Sequence, residues 1–239
     1  MSASMPRGGI QFGSRRIPYR LSKTGRRKTV AIAVDPTLGV LVRAPATLLT
    51  EELAGILHRK APWIWERLRR VRELPRPARR EFVSGESFPY LGRNYRLKLI
   101  RGDGRIRAAL SGRRLYVAGA SSAPAIRETL RQWYGRRAAR RLPERVALWA
   151  RRLGVPTPPV IIRDQSKRWG SCDVRRRLRL NWRIVMAPMS LIDYVVVHEV
   201  CHLVRPHHGR EFWKLIRRLL PDWERRRDRL REEGRRFSL

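Results

Sequence analysis

Four of the five histidines in this chain lie within eleven positions, from His198 to His208. The first belongs to the pattern H-E-x-x-H, in which Glu199 follows His198 and His202 closes the motif. Residues four apart lie on one face of an α-helix, about one turn from each other. Both imidazoles can therefore bind one metal ion, with Glu199 beside it and free to deprotonate a metal-bound water. The pattern predicts a catalytic zinc site.

The residues around this motif predict the helix that it needs. Ser190 is a good N-cap with Asp193 three residues later, and Pro206 is expected to end the helix. The intervening positions are apolar nearly all round, so the helix should be buried. Buried histidine and glutamate side chains need partners, because an unpaired buried polar group costs several kcal/mol, and a metal ion supplies them. An ordinary core helix is the competing interpretation.

A third ligand is expected beyond the break at Pro206. A new helix is predicted to begin near Gly209, because the apolar residues from Phe212 onward have helical spacing. We assign His208 as the third ligand of one Zn²⁺ ion and leave the fourth position to water, which is the catalytic arrangement for zinc. His207 is interpreted as a neighbour of the site or a surface residue rather than as a ligand.

The chain carries a formal charge of +35, from 55 basic and 20 acidic residues. Such a surplus suits a polyanionic partner, whether nucleic acid, nucleotide phosphates or an acidic surface. Only six of the basic residues are lysine, however, and a ratio this uneven also fits arginine-rich codon usage that coats ordinary solvated surfaces. Both explanations stay open at this point.

Two cysteines, Cys172 and Cys201, do not make a disulfide framework and are interpreted as reduced, buried thiols. The N-terminus has no apolar segment of the kind found in signal peptides, and no apolar run approaches the ~18 residues that a membrane helix needs. We therefore expect a cytoplasmic protein with no membrane partner.

The chain is predicted to be an α+β protein in three parts. Residues 1–14 are small and polar and are expected to form a flexible tail. Residues 15–120 are rich in short strand-like runs and contain one helix, which Pro62 should kink. Residues 121–239 contain helices, a hairpin over 168–182 and the metal-binding motif.

Further motifs accompany H-E-x-x-H in a fixed order along the chain. They are Ala61-Pro62-Trp63-Ile64, Tyr90-Leu91-Gly92, Lys167-Arg168-Trp169-Gly170-Ser171-Cys172, Leu180-Asn181-Trp182-Arg183, Asp193-Tyr194-Val195-Val196-Val197-His198-Glu199 and Phe212-Trp213. Together they resemble the YgjP-like metallopeptidase family, which is related to the SprT-like minimal zincins. The resemblance extends from about Lys28 to the C-terminus.

This resemblance implies that the three assigned histidines bind zinc and that Glu199 is the general base. It also implies a C-terminal minimal zincin-like domain in which a small sheet packs on the metal-binding helix, with its nearest strand in the 168–182 hairpin. The family commonly has Asn-His before the Phe-Trp pair, and here His207 occupies the Asn position while His208 keeps the ligand position.

The same resemblance suggests which residues line the cleft. Substrate contact is expected for five residues: Arg168, Trp169, Ser171, Asn181 and Tyr194. The competing interpretation is that Trp169 is a core aromatic residue and Arg168 a structural hydrogen-bond donor. A group that stabilises the oxyanion must also exist, and Tyr194 and Arg168 are the candidates.

Three functions fit these observations. The first is a zinc metallopeptidase, acting on protein or on protein held on DNA, in which Glu199 activates a zinc-bound water. The second is a metal-dependent nucleotide triphosphate pyrophosphatase, a label that some family members carry, with arginines holding the phosphates. The third is a zinc-containing nucleic-acid-binding module, against which Glu199 argues because a structural zinc site needs no base.

Overall fold

The computed structural model describes residues 7–25, 27–35, 38–73, 80–100, 102, 106–165 and 167–239. The chain divides into two units, Met1–Arg76 and Pro77–Leu239. Each unit contains both β-sheet and α-helix, so the fold class is α+β, as predicted. None of the helices among the described residues is both long enough and apolar enough to cross a membrane.

The first unit consists of a four-stranded sheet and one helix. The strands are β1 (Arg7–Phe12), β2 (Arg15–Thr24), β3 (Ala31–Asp35) and β4 (Gly39–Pro45), in the spatial order β1-β2-β4-β3. Strands β2 and β4 pair in parallel, and the other neighbours pair antiparallel. Helix α1 (Thr50–Glu73) buries Leu53, Leu57 and Ile64 in the core of this unit. It continues through Pro62 without interruption.

The flexible tail predicted over residues 1–14 is wrong for the part that forms β1. Ile10 of β1 is buried opposite Ile17 of β2, so the strand contributes to the core. Gly13 has a φ of 59° in the tight turn between the two strands, a conformation that glycine adopts at little cost. Residues 1–6 of the predicted tail lie outside the described residues.

The second unit contains two sheets. The first has strands β5 (Ser87–Tyr90), β6 (Arg93–Ile100), β7 (Arg107–Ser111) and β8 (Arg114–Ala118), in the order β5-β6-β8-β7. The second has strands β9 (Val160–Arg163), β10 (Gly170–Cys172) and β11 (Leu178–Asn181), in the order β10-β11-β9. Strands β10 and β11 are antiparallel, which confirms the predicted hairpin, and β9 adds to β11 in parallel.

Four helices complete the second unit. They are α2 (Ala123–Leu153), α3 (Met189–Cys201), α4 (Arg210–Leu219) and α5 (Trp223–Glu233), with short 3-10 helices at Trp182–Met186 and Gly234–Arg236. One core joins them to the four-stranded sheet, because Phe88 and Leu115 of the sheet are buried in the same cluster as Leu130 of α2. The boundary that we predicted between residues 120 and 121 therefore falls inside this unit.

Helix α3, which carries the H-E-x-x-H motif, is buried along most of its length. Every residue from Leu191 to Val197 is buried. The predicted N-cap is wrong: the helix begins at Met189, Pro188 occupies the cap position, and Ser190 lies within the first turn. A proline suits this position because the first N–H groups of a helix lack intrahelical acceptors.

Asp193 of α3 finds its partners on α2 rather than at a helix cap. The Arg145 guanidinium donates to both carboxylate oxygens, at 2.8 and 2.9 Å, and Trp149 Nε1 donates to Oδ1 at 3.1 Å. A two-pronged, charge-assisted pair of this kind fixes orientation as well as distance. It therefore holds the N-terminal half of α3 in place against α2.

We predict that Asp193→Ala destabilises the protein by about 2–3 kcal/mol, because Arg145 and Trp149 lose their acceptor in a largely buried place. Urea unfolding in the presence of a metal chelator measures the free energy of unfolding. The matched control is Glu128→Ala, which breaks an ion pair with Arg131 on the exposed side of α2 and should cost at most about 1 kcal/mol. Equal losses in the two variants would contradict the anchoring role of Asp193.

Candidate active site

Three imidazoles meet at the end of α3. His198 and His202 are one helical turn apart, and His208 comes from the segment just before α4. One ring nitrogen of each lies within 4.8 Å of the others, and Nε2 of His198 is 3.0 Å from Nε2 of His208. Two nitrogens bound to one tetrahedral zinc ion are about 3.3 Å apart. The three side chains therefore fit a metal ion with three nitrogen ligands.

The protonation of these rings also suits a metal. Nδ1 of His202 donates to the Arg205 carbonyl oxygen at 3.1 Å, which leaves the Nε2 lone pair free for an ion. Burial lowers the pKa of His198 to about 3, helped by the neighbouring His202 and His208. Burial also lowers the pKa of His202. Both imidazoles are thus neutral at pH 7, which is the form that binds metals.

Aromatic residues from α4 hold the rings in position. Phe212 is fully buried, and its ring lies 5.1, 4.6 and 4.8 Å from the ring centres of the three histidines. Trp213 Nε1 donates to the backbone carbonyl of His208 at 3.1 Å, and the Trp213 ring stacks on Trp223 at 4.5 Å. This packing fixes the segment that delivers His208.

Glu199 is buried between α3 and β10. Its side chain is 6% exposed, and burial raises its pKa to about 8, opposed by the positive charge of Arg168. A Cβ atom added at Gly170 would lie 2.6 Å from Cγ and 2.7 Å from Oε1 of Glu199. A glycine at this position therefore lets the strand approach the carboxylate. The positive charge of a metal ion held by the neighbouring histidines would lower this pKa again and favour the carboxylate form.

Two cavities border the histidines. The first, of about 450 Å³, extends toward α5, and the second, of about 700 Å³, extends past the C-terminal end of β10. Both are lined by His198, Glu199 and His208, together with Arg168 and Gly170. They are therefore two halves of one cleft that passes the three imidazoles.

Four of the five predicted substrate-binding residues line this cleft. Trp169 and Tyr194 line the first cavity, Ser171 lines the second, and Arg168 lines both. The Tyr194 ring lies 6.1 Å from that of His198, between ring centres. Burial raises the pKa of the Tyr194 phenol, so it keeps its proton at neutral pH and remains a hydrogen-bond donor.

Asn181, the fifth of these residues, lines neither of the two cavities beside the histidines. This residue is 3% exposed, and its Nδ2 donates to the carbonyl oxygens of Gln165 and Arg168 at 2.6 and 3.2 Å. Its Oδ1 accepts from the Arg183 N–H at 3.1 Å. Because the amide is fully engaged with backbone, Asn181 fixes the segment before β10 and thereby positions Arg168.

Sequence analysis missed the contribution of α5. Arg227, Leu230 and Arg231 line the first cavity. Their spacing places them on one face of the helix, and this spacing is visible in the sequence. An arginine-rich helix does not, however, indicate which part of the protein that face contacts.

His207 is exposed and lies outside the three-histidine cluster.

The cysteines do not join the metal cluster. Both thiols are free, and burial raises the pKa of Cys201 to about 12. Cys172 is only half-buried, contrary to the expectation that both are buried, because β10 lies at the edge of its sheet and Cys172 lines the second cavity.

Comparison with known proteins gives one family match. A family model described as YgjP-like, metallopeptidase domain, matches residues 28–233. No curated protein matches the chain. Among solved structures, the metallopeptidase zymogen of Pyrococcus abyssi abylysin is 19% identical and covers 37% of this chain and 90% of its own, with a TM-score of 0.35. The zymogen of Methanocaldococcus jannaschii jannalysin is 18% identical, with coverages of 39% and 96% and a TM-score of 0.36.

The burial of Glu199 predicts how the stability of the metal-free protein depends on pH. The pKa rises from 4.5 to about 8 on folding, so the contribution of this group is complete below pH 4.5 and is lost as the pH rises through 8. Between about pH 5 and pH 9, we expect the free energy of unfolding of the wild type to fall by about 2–4 kcal/mol relative to Glu199→Gln. Urea unfolding with a chelator measures this difference, and parallel pH profiles would contradict it.

Proposed function

Because the chain belongs to the YgjP-like metallopeptidase family, we propose that it is a zinc-dependent peptidase whose active site is the three-histidine cluster with Glu199. The observation that supports this most directly is the convergence of three ring nitrogens within 4.8 Å beside a buried carboxylate. Three nitrogen ligands leave a fourth position of a tetrahedral ion open, as catalytic zinc sites do. His198, His202 and His208 would hold the ion.

Each nearby side chain has a part in this proposal. Zinc bound here would polarise a peptide carbonyl and acidify water. Glu199 accepts a proton from the attacking water and gives it to the leaving amine, two transfers for which its buried carboxylate beside the histidines is placed. Tyr194 and Arg168 face the same cavity as donors for the developing oxyanion.

An open strand edge beside the glutamate offers a place for the substrate backbone. Strand β10 ends its sheet, and no other described strand pairs with its outer edge. The Trp169 carbonyl accepts from β11 at 2.8 Å, and the Asp173 N–H donates toward the same side at 3.0 Å. Because backbone groups alternate along an antiparallel strand, those of Gly170 and Cys172 point outward. An extended peptide can pair with them.

A second candidate function has support from the first cavity. Arg168, Arg227 and Arg231 provide guanidinium groups of the kind that bind phosphates, and Trp169 provides an aromatic ring on which a base can stack. These features also suit a metal-dependent nucleotide triphosphate pyrophosphatase.

Nucleic-acid binding remains a prediction from the net charge of +35, and a steep loss of binding with rising salt would support it.

We predict that Gly170→Ala lowers kcat by about 10- to 100-fold without loss of zinc, because the new methyl group must displace Glu199 from its position beside the metal. Peptide hydrolysis and metal content are measured on the same preparation. Gly135→Ala on α2, where an added Cβ meets no atom within 4 Å, is the control and should keep wild-type activity. Full activity of Gly170→Ala would contradict the position assigned to Glu199.

A paired hydrolysis assay tests the proposed function. Zinc-loaded wild type and Glu199→Gln are offered an unfolded protein, with and without DNA, and nucleoside triphosphates. We expect peptide cleavage that falls by at least about 100-fold in the variant while zinc is retained. Pyrophosphate release that depends on Glu199, without proteolysis, would assign the site to the pyrophosphatases instead. Equal cleavage by the two proteins would refute the role of Glu199.

A further inference from the structure

The two halves of the cleft differ in charge. Among the described residues that line the first cavity, Arg168, Arg227 and Arg231 are cationic, and Glu199 is the one acidic residue. The remaining walls are largely aromatic or aliphatic: Trp169, Tyr194, Val195, Trp213 and Leu230. The second cavity carries both signs of charge, from Asp173 and Arg176 as well as Arg168. The first cavity therefore disfavours a cationic side chain and suits an anion on a short apolar stem.

Helix α5 places two of these guanidinium groups side by side at the cavity, Arg227 partly buried and Arg231 largely exposed. Leu230 is 6% exposed and anchors the helix face in the core, between the two arginines. Arg227 lies over the Trp223 ring at 5.0 Å and contacts Asp228 at 3.0 Å, while Arg231 contacts the same carboxylate at 3.4 Å. Two guanidinium groups thus share one carboxylate, and Arg168 adds a third positive charge on the other side of the cavity. A net positive charge remains for a ligand.

Strand polarity indicates which part of a peptide enters this cavity. Strand β10 runs from Gly170 to Cys172, and the cavity at its start is the first one, lined by the preceding Trp169, whereas Cys172 lines the second. An antiparallel partner makes the stronger ladder and runs the opposite way. Its chain passes from the second cavity, past the histidines, into the first. The residue that follows the scissile bond therefore occupies the first cavity.

We propose that Arg227, Arg231 and Arg168 select a carboxylate directly after the scissile bond, supplied by an Asp or Glu side chain or by a free C-terminus. This inference rests on the proposed peptidase function and adds the substrate class of that site. Guanidinium groups pair with carboxylates through charge-assisted hydrogen bonds, and the aromatic and aliphatic walls suit the apolar stem that carries the carboxylate. A neutral or cationic residue directly after the scissile bond leaves the three arginines without a carboxylate to bind.

The test uses peptides of one sequence, chosen from a bond that the zinc-loaded wild type cleaves in an unfolded protein. The residue after that bond is Glu, Gln or Lys, and a second set ends at that residue as either a free acid or an amide. We expect kcat/KM to be about tenfold higher for Glu than for Gln, and lower still for Lys. Faster cleavage of the free acids than of the amides, with no difference between Glu and Gln, identifies the C-terminal carboxylate as the ligand. A preference for Glu over Gln in the longer peptides identifies the side chain.

Charge reversal at Arg231 separates this cavity from the general charge of the protein. Arg231→Glu should reduce the preference for Glu over Lys by at least about tenfold. The control is Arg225→Glu on the same helix, where the side chain is 85% exposed and does not line the cavity; it should keep the wild-type preference. Peptide binding to Glu199→Gln, followed by tryptophan fluorescence, should show the same order of affinities without turnover.

The outcomes separate this inference from the proposed function. Peptide cleavage without preference for a carboxylate, or a preference that Arg231→Glu leaves unchanged, overturns the inference while the peptidase stands. Absence of cleavage of every peptide overturns both. Hydrolysis of nucleoside triphosphates in place of peptides assigns the three arginines to phosphate groups and also overturns the carboxylate selection.

Discussion

The burial of α3 is the constraint on which the rest of the site depends. This helix is apolar nearly all round, so each polar side chain on it needs a partner from the protein or from a ligand. Arg145 and Trp149 satisfy Asp193 completely. Nδ1 of His198, in contrast, is buried without a hydrogen-bond partner among the described residues, and burial raises the pKa of Glu199. Both of these residues line the cleft.

The three-histidine cluster is held from both ends of this helix. The pair of Asp193 with Arg145 fixes the first half of α3 against α2, whereas Phe212 packs against all three imidazoles at the other end. Such support matters because ligands and base must be held close to their working geometry before substrate arrives. Gly170 completes the arrangement by letting the strand edge come up to Glu199. The positions of the three histidines and Glu199 therefore follow from the packing of α3 against its neighbours.

The features that could be predicted from the sequence are those that depend on residues close together in the chain. The i, i+4 spacing placed His198 beside His202, and the separated motifs indicated the family that the match over residues 28–233 confirms. Contacts between residues that are far apart in the chain could not be predicted, because no spacing or motif in the sequence indicates them. The acceptor role of Asp193 depends on a helix 48 residues earlier in the chain, and the contribution of Arg231 depends on which surface α5 covers. The backbone bonds of Asn181 were not predicted either, because a polar residue in a motif can bond to backbone as well as to a substrate.

Part of the net charge of +35 lies at the candidate site, because three arginines line one half of the cleft.

The proposed function depends on the histidines binding one ion. Its most direct test is the zinc content and zinc affinity of the wild type, His208→Ala and His207→Ala, by elemental analysis and competition with a chromogenic chelator. We predict one zinc per wild-type chain, an affinity more than about 100-fold weaker in His208→Ala, and wild-type binding in His207→Ala. Undiminished zinc binding in His208→Ala, or its loss in His207→Ala alone, would contradict the three-histidine site.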